Sequence, residues 1–290
     1  MDRPIGMFDS GFGGLTVARA IIDLLPAEDL VYIGDTARYP YGPRPADEVR
    51  RFARELATSL VVDHHVKAIV VACNTAAASG IDALRNELDV PIIDVVAPGA
   101  VALVEATESG RAGVIGTVGT IASGAYVHAV EHAGVLVGRD VTLTSAACPG
   151  FVEFVERGQT LGDEVTVLAE RLLAPVTAAD VDALLLGCTH YPFLSRVIGD
   201  VVGSHVTLVS SADETAFSAA RLLGELGLLR PHHGAPGRHL FLSSGDVQLF
   251  RDLGRRLLGP ELDAAGSWPA TSAPVPPSLQ PLVESEGGTR

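Results

Sequence analysis

The stretch AIVVACNT, residues 68–75, places a continuous apolar run directly before a thiol and two small polar side chains. Short uninterrupted apolar runs of this kind are typical of strands that are buried on both faces of a parallel sheet. The strand ends with the run, so it delivers Cys73, Asn74 and Thr75 at its carboxyl end. Ligands of open α/β sheets bind just beyond the carboxyl ends of the strands. The stretch therefore predicts a buried parallel strand that leads into a ligand-binding edge.

Similar runs precede this strand, and amphipathic helical segments separate them. Ile5 to Phe8 and Leu30 to Ile33 are predicted strands. Between them, apolar residues recur at helical spacing from Leu15 to Leu25, and Pro26 stops the predicted helix. The next predicted helix covers about residues 47–64. This alternation predicts an α/β fold with doubly wound, mainly parallel sheets.

The pattern restarts after Pro98 and produces a second apolar strand of the same kind. DALLLG, residues 182–187, leads into Cys188, Thr189 and His190. The first strand-turn, MFDSGFGG, is likewise echoed by VIGTVGT before a helix predicted from about residue 121 to 133. Such an internal repeat predicts two similar domains, although any two α/β domains can share this rhythm.

We assign two domains and a tail on this basis. The first domain takes residues 1–96 with 210–265, and the second takes residues 97–209. The stretch 266–290 is rich in Pro, Ser, Gly and Ala without an apolar period, which predicts a disordered tail.

Composition limits the functional class. The chain has 290 residues and 47% hydrophobic residues, enough for two buried cores, and its formal net charge is −14. That charge argues against nucleic acid and anionic membranes as partners, since both attract clustered Lys and Arg. No apolar run reaches the ~18 residues of a membrane span. Three widely spaced cysteines and no visible secretory signal favour a reducing, cytoplasmic location.

The two strand-end cysteines are candidate reactive groups. A cysteine after a buried strand is more often a packing residue, but polar neighbours at a strand end favour chemistry for Cys73 and Cys188. A helix N-terminus beyond each strand would stabilise a thiolate, so a thiol pKa lowered by about one or two units is within reach, although the sequence does not fix the pKa values. His190 is a candidate proton relay, whereas Cys148 precedes a proline and is predicted to pack. No CxxC or HxxxH pair supports a metal site, while a dithiol redox pair remains open.

Five motifs, taken together and in order, resemble the bacterial glutamate racemases of the aspartate/glutamate racemase family. The resemblance extends from about residue 3 to residue 260, and its combination of motifs is highly specific. The motifs are DSGFGGL at 9–15, GDTARYPYG at 34–42, ACNTA at 72–76, CPGFVEFVERG at 148–158 and GCTHYP at 187–192.

The resemblance implies an enzyme that interconverts L- and D-glutamate without pyridoxal phosphate, metal or any other cofactor. It further implies two α/β domains with the active site between them, a homodimer, and a supply of D-glutamate for peptidoglycan, and so for cell-wall biogenesis and cell shape. Matched by motif, Cys73 takes the α-proton from D-glutamate and Cys188 takes it from L-glutamate. The partner thiol then delivers a proton to the opposite face.

The remaining site residues are also implied by the resemblance. Asp9 assists Cys73, and His190 with Glu156 assists Cys188. The family often carries proline at the position of Glu153, so Glu156 is the expected supporting acid. The implied substrate contacts are Asp9, Ser10, Tyr41, Gly42, Asn74, Thr75, Thr189 and His190.

Three other functions fit parts of the pattern. A sister racemase acting on aspartate would share the two-cysteine chemistry. A non-catalytic protein that binds an acidic metabolite would need neither thiol. A dithiol oxidoreductase would form a reversible disulfide between Cys73 and Cys188.

Overall fold

The computed structural model describes residues 2–231 and 235–268. Within these ranges the strands are β1 Ile5–Asp9, β2 Leu30–Gly34, β3 Ala68–Val71, β4 Ile92–Asp94, β5 Arg111–Gly116, β6 Thr142–Ala147, β7 Ala183–Gly187, β8 Thr207–Ser210, β9 His239–Ser243 and β10 Gly266–Ser267. The α-helices are α1 Leu15–Leu24, α2 Ala46–Val62, α3 Asn74–Ala78, α4 Asp82–Glu87, α5 Val96–Ala106, α6 Val118–Ala122, α7 Ala125–Val137, α8 Phe151–Glu156, α9 Asp163–Ala178, α10 Ser195–Val202, α11 Ser211–Glu225 and α12 Val247–Leu258.

The described strands form two parallel sheets. The first has the order β10-β9-β2-β1-β3-β4 and the second has the order β6-β5-β7-β8. All of their pairings are parallel. The predicted α/β fold class is confirmed.

The two sheets share one topology in their central strands. In the first, β1 pairs with β2 on one side and β3 on the other; in the second, β5 pairs with β6 and β7 in the same way. Where connections leave a central strand in opposite directions, a crevice opens at the carboxyl edge. The strands that precede Cys73 and Cys188, β3 and β7, therefore occupy equivalent places beside two such crevices.

The apolar strands are held between helices that also join the sheets. α5 follows β4 of the first sheet yet contacts β7 and β8 of the second. α11 follows β8 of the second sheet and packs against α1 and α5. One hydrophobic cluster accordingly contains both Val70 of β3 and Leu185 of β7, and each is fully buried. Their burial follows from the uninterrupted apolar runs of the two strands.

Two sequence expectations about boundaries are wrong. The helix expected from about residue 121 to 133 is divided into α6 and α7, because Gly124 adopts a left-handed conformation with φ of 71° that a helix cannot continue through. The expected tail begins too early. Gly266–Ser267 extend the first sheet beside β9, and Trp268 is 4% exposed, so packing orders a stretch whose composition is polar and small. Residues 269–290 lie outside the described ranges.

Candidate active site

A cavity of about 90 Å³ lies at the carboxyl ends of strands from both sheets, and both Cys73 and Cys188 line it. The first sheet's strands and loops contribute Ser10, Tyr39, Pro40, Tyr41, Gly42, Pro43, Cys73, Asn74 and Thr75. The second sheet's strands and loops contribute Thr117, Val118, Cys148, Pro149, Gly150, Val152, Glu153, Cys188, Thr189, His190 and Tyr191.

Cys73 follows β3 and caps the short helix α3. Its sulfur accepts a hydrogen bond from the Ala76 N–H at 3.4 Å. Burial raises the pKa of the Cys73 thiol to about 12, and the charge of Asp9 adds to the rise. The pKa of Cys73 is thus raised instead of lowered, because the loss of hydration of a thiolate outweighs what one helix end supplies.

The Asp9 carboxylate lies at the end of β1, and backbone donors hold one of its oxygens. Asp9 Oδ2 accepts hydrogen bonds from the N–H groups of Gly11 and Gly14, both at 3.1 Å. A Cβ on Gly14 would lie 2.7 Å from the Cβ of Asp9, so glycine is needed for this close approach. Asp9 Oδ1 is buried without a hydrogen-bond partner among the described residues. Asp9 is not among the residues that line the cavity, although the resemblance implied a substrate contact for it.

Cys188 follows β7 and faces a buried histidine. Its sulfur lies 4.0 Å from His190 Nδ1, and His190 Nε2 lies 3.6 Å from Glu156 Oε1 on α8. The latter is an ion-pair distance, longer than a hydrogen bond. Glu153, one helical turn earlier, lines the cavity instead. The arrangement Cys188–His190–Glu156 thus brings together the three groups that the resemblance implied.

The environment of His190 favours its charged form. Burial by itself lowers the pKa of His190, but the Cys188 sulfur and the Glu156 carboxylate raise it, and the net result is about 10. The rings of Phe12 and Tyr39 lie beside the imidazole, with centroids 5.3 and 6.0 Å away. Gly13 also approaches this group, since a Cβ there would lie 2.5 Å from His190 Nδ1.

The cavity presents an unsatisfied amide donor. Asn74 is 3% exposed; its Oδ1 accepts from the Tyr126 hydroxyl at 2.5 Å, while its Nδ2 has no partner among the described residues. A buried donor without a partner is costly, and a carboxylate ligand in the cavity would satisfy it. The hydroxyl of Tyr41, unlike the amide of Asn74, already has a partner, because it donates a hydrogen bond to Asp35.

The loop and helix ends around the cavity tie the two sheets together. The Gly42 carbonyl accepts from the Gly119 N–H at 2.9 Å. Thr75 Oγ1 lies 3.0 Å from Thr117 Oγ1 and 3.3 Å from Thr120 Oγ1. Ser10 and Thr189 complete the predicted contacts in the cavity wall.

Several lining residues escaped sequence reasoning. Thr117 comes directly after β5, in the place that corresponds to Asp9 at the end of β1. The similarity in sequence between the two strand-turns is the signal that could have identified it. Cys148, expected to pack, is 1% exposed and also reaches the cavity wall. Tyr39 and Val152 lie inside two of the quoted motifs but were not singled out, because their approach to the cavity depends on how the β2–α2 loop and α8 fold.

Three further observations concern the described residues alone. No group of three or more His, Cys, Asp or Glu side chains in them is arranged to hold a metal ion. None of their helices has the length and apolar character needed to cross a membrane. All three cysteines are free thiols.

Comparison with known proteins places this site in a family. The family model described as Asp/Glu/Hydantoin racemase matches residues 5–219. A glutamate racemase from Parafrankia sp. is 52% identical over 269 residues, covering 93% of this chain and 95% of that one. A solved glutamate racemase isoform from Bacillus anthracis is 40% identical with a TM-score of 0.84, covering 92% and 97% of the two chains. One from Francisella tularensis, solved in complex with D-glutamate, is 32% identical with a TM-score of 0.83, covering 93% and 98%. The chain therefore belongs to the Asp/Glu/hydantoin racemase family, as one of its bacterial glutamate racemases.

Proposed function

We propose that this racemase interconverts L- and D-glutamate without a cofactor, with Cys73 and Cys188 as its two acid–base groups. The observation that carries the proposal is that both thiols line one cavity, each from the end of an equivalent strand in its own sheet. Glutamate as substrate is supported by relatives at about half identity that are named glutamate racemases, and by the Francisella complex with D-glutamate.

Two bases suit racemisation because the proton must leave one face of Cα and return to the other. A single base beside one face is badly placed for both steps. Thiols at the ends of β3 and β7 belong to different sheets, so a substrate held in the cavity has one on either side. Such positioned general acid–base groups each contribute about 10²–10⁴-fold in rate.

The electrostatic surroundings of the two thiols differ. Burial keeps Cys73 a thiol at neutral pH, since its pKa is raised to about 12. Beside Cys188, the His190 imidazole has its pKa raised to about 10, and its Nδ1 stands 4.0 Å from the Cys188 sulfur. In the reaction from L- to D-glutamate, Cys188 removes the proton and Cys73 delivers one to the opposite face. The reverse reaction starts from the exchanged protonation state.

The supporting groups act through hydrogen bonds and charge. Asp9 assists Cys73 from behind the cavity wall, and Glu156 holds the charge on His190 beside Cys188. Asn74 Nδ2 is positioned to donate to a substrate carboxylate, with Ser10, Tyr41, Gly42, Thr75 and Thr189 as the other contacts. Exclusion of water strengthens each of these interactions in the closed site.

The wider biological setting is proposed on the same resemblance. We place the domain division at residues 1–96 with 210–265 and residues 97–209, and Gly266–Ser267 extend the first domain because β10 pairs with β9. The enzyme works in the cytoplasm as a homodimer and supplies D-glutamate for peptidoglycan. Nucleic acid and membranes are not among its partners, which is consistent with a net charge of −14.

Substrate identity is tested by assaying both enantiomers of glutamate beside both enantiomers of aspartate. We expect racemisation of glutamate in both directions, with equal kcat/KM values at every pH because the two enantiomers have equal free energy. Turnover of aspartate at a comparable kcat/KM, or of neither amino acid, would overturn the assignment.

Replacing either catalytic thiol removes one of the two proton-transfer groups. We expect Cys73→Ser and Cys188→Ser each to lower kcat/KM by about 10²–10⁴-fold, because a hydroxyl is a far weaker acid than a thiol. Circular dichroism should show an unchanged fold. Cys148→Ser is the matched control, since it alters a third buried thiol and should keep most of the activity. Near-normal racemisation by either of the first two variants contradicts the two-base mechanism.

Deuterium incorporation distinguishes two bases from one. In D₂O, the thiol that delivers the proton carries a solvent deuteron, so the product enantiomer is labelled at Cα in the first turnover. The remaining starting enantiomer stays unlabelled at early times, which mass spectrometry after chiral separation can measure. Early deuterium in the recovered starting material would indicate a single shared base.

The Glu156–His190 pair predicts a pH dependence of stability. His190 has its pKa raised from 6.5 to about 10 in the folded chain, so its contribution is fully present below about pH 6.5 and is lost as pH rises through 10. Denaturant titration should show that Glu156→Gln reduces this decline in the free energy of unfolding. Glu131→Gln is the control, because Glu131 lies 3.7 Å from the exposed His128 and should change little. An unchanged decline in Glu156→Gln rules out the pairing.

A further inference from the structure

The loop between β2 and α2 forms one wall of the cavity through its residues Tyr39–Pro43. Tyr41 in this loop is 1% exposed, and its hydroxyl donates to Asp35 Oδ2. The β2–α2 loop, which forms this wall, is thus held by a hydrogen bond to Asp35, and Asp35 does not itself line the cavity.

Asp35 is fully buried and is the centre of that support. Besides the Tyr41 hydroxyl, its Oδ2 accepts from Arg38 Nε at 2.6 Å, and its Oδ1 accepts from Ser244 Oγ at 2.7 Å. A buried carboxylate holds a fixed position only when its oxygens are satisfied in this way. The position of Tyr41 therefore depends on the position of Arg38.

Arg38 in turn lies between charged and aromatic neighbours. Its guanidinium pairs with Asp35 and Glu55. The guanidinium carbon stands 4.2 Å from the centroid of the Phe52 ring and 5.9 Å from that of Trp268. Both distances are within the range of cation–π contacts.

Trp268 is itself held firmly. Its indole Nε1 donates to Ser59 Oγ at 2.9 Å on α2, and its backbone N–H donates to the Ser243 carbonyl at 2.8 Å on β9. The residues after Ser243 bond back to the same loop, with Ser244 Oγ accepting from the Ala37 N–H at 3.0 Å. The segment that ends at Trp268 is therefore connected to the β2–α2 loop through both its side chain and its backbone.

We infer that Trp268 is a positioning residue for the active site, which packs against Arg38 and so maintains the Asp35–Tyr41 contact that sets the cavity wall Tyr39–Pro43. Trp268 is not among the residues that line the cavity. The inference rests on the proposed function for its kinetic readout only, and a second readout is independent of activity.

The kinetic test compares Trp268→Ala with Trp268→Phe. Trp268→Ala should raise KM for both glutamate enantiomers about five- to tenfold with little change in kcat, because a displaced wall weakens the ground state and transition state alike. Trp268→Phe keeps a ring near Arg38. Ser59→Ala removes the indole's hydrogen-bond partner together with the Ser59 hydrogen bond to Asp63 but leaves the ring in place, so both variants should keep a KM near that of the wild type. Leu249→Ala is the control for loss of a large side chain at an exposed position near the same segment.

The dependence on Arg38 is tested by combining variants. Arg38→Lys keeps the charge and loses the planar guanidinium. If Trp268 acts through Arg38, Trp268→Ala adds less than about twofold to KM in the Arg38→Lys background, since residues that act as one unit are not additive. Full additivity of the two effects would overturn this route.

The structural readout is hydrogen–deuterium exchange of the full chain. Trp268→Ala should accelerate exchange in peptides covering residues 36–44, while exchange in β3 and β7 stays as in the wild type. Unchanged exchange over residues 36–44, or an unchanged KM despite faster exchange, sinks the inference. Failure of the wild-type chain to racemise glutamate would overturn the proposed function alone, and the exchange result would still decide the role of Trp268 in holding the loop.

Discussion

Parallel pairing of the central strands is the constraint on which the site depends. Strands that run parallel end at the same edge, so the residues after β1 and β3 must meet, as must those after β5 and β7. Gly116 pairs with Gly187, which leaves Thr117 and Cys188 side by side beyond the second sheet. Two sheets with one strand order then present Cys73 and Cys188 to a common cavity.

Burial of these strand ends determines the chemistry of the groups on them. Removal of water disfavours the charged form of Cys73, so its pKa rises. The same low-dielectric setting strengthens the interaction of His190 with Cys188 and Glu156 enough to keep the imidazole charged. A charge at Asp9 is accommodated only because Gly11 and Gly14 bring backbone donors to it. The two thiols thus have different electrostatic surroundings although their strands are equivalent.

Local sequence was sufficient to predict the fold class and to predict that the two thiols lie at the ends of buried strands. Apolar runs such as residues 68–72 bury themselves on both faces of a sheet, and the polar residues that follow are then bound to emerge at its edge. Local sequence was insufficient to predict which residues are ordered where packing overrides composition. Trp268 is ordered by Ser59 and Ser243, partners about 209 and 25 positions away that no local pattern identifies. Thr117 lines the cavity for the same reason, since only the pairing of β5 with β7 brings it there.

The sequence alone determined which residues emerge at the carboxyl ends of the two buried strands, because strand periodicity and the polar groups after each apolar run are properties of short segments. The tertiary structure decided the pKa values and the contacts of those residues. The raised pKa of Cys73, the charge on His190 and the wall formed by Tyr39–Pro43 all arise from groups that are distant in the chain and are brought together by folding. Desolvation and electrostatic interaction depend on distances in space, and one-dimensional spacing does not contain them.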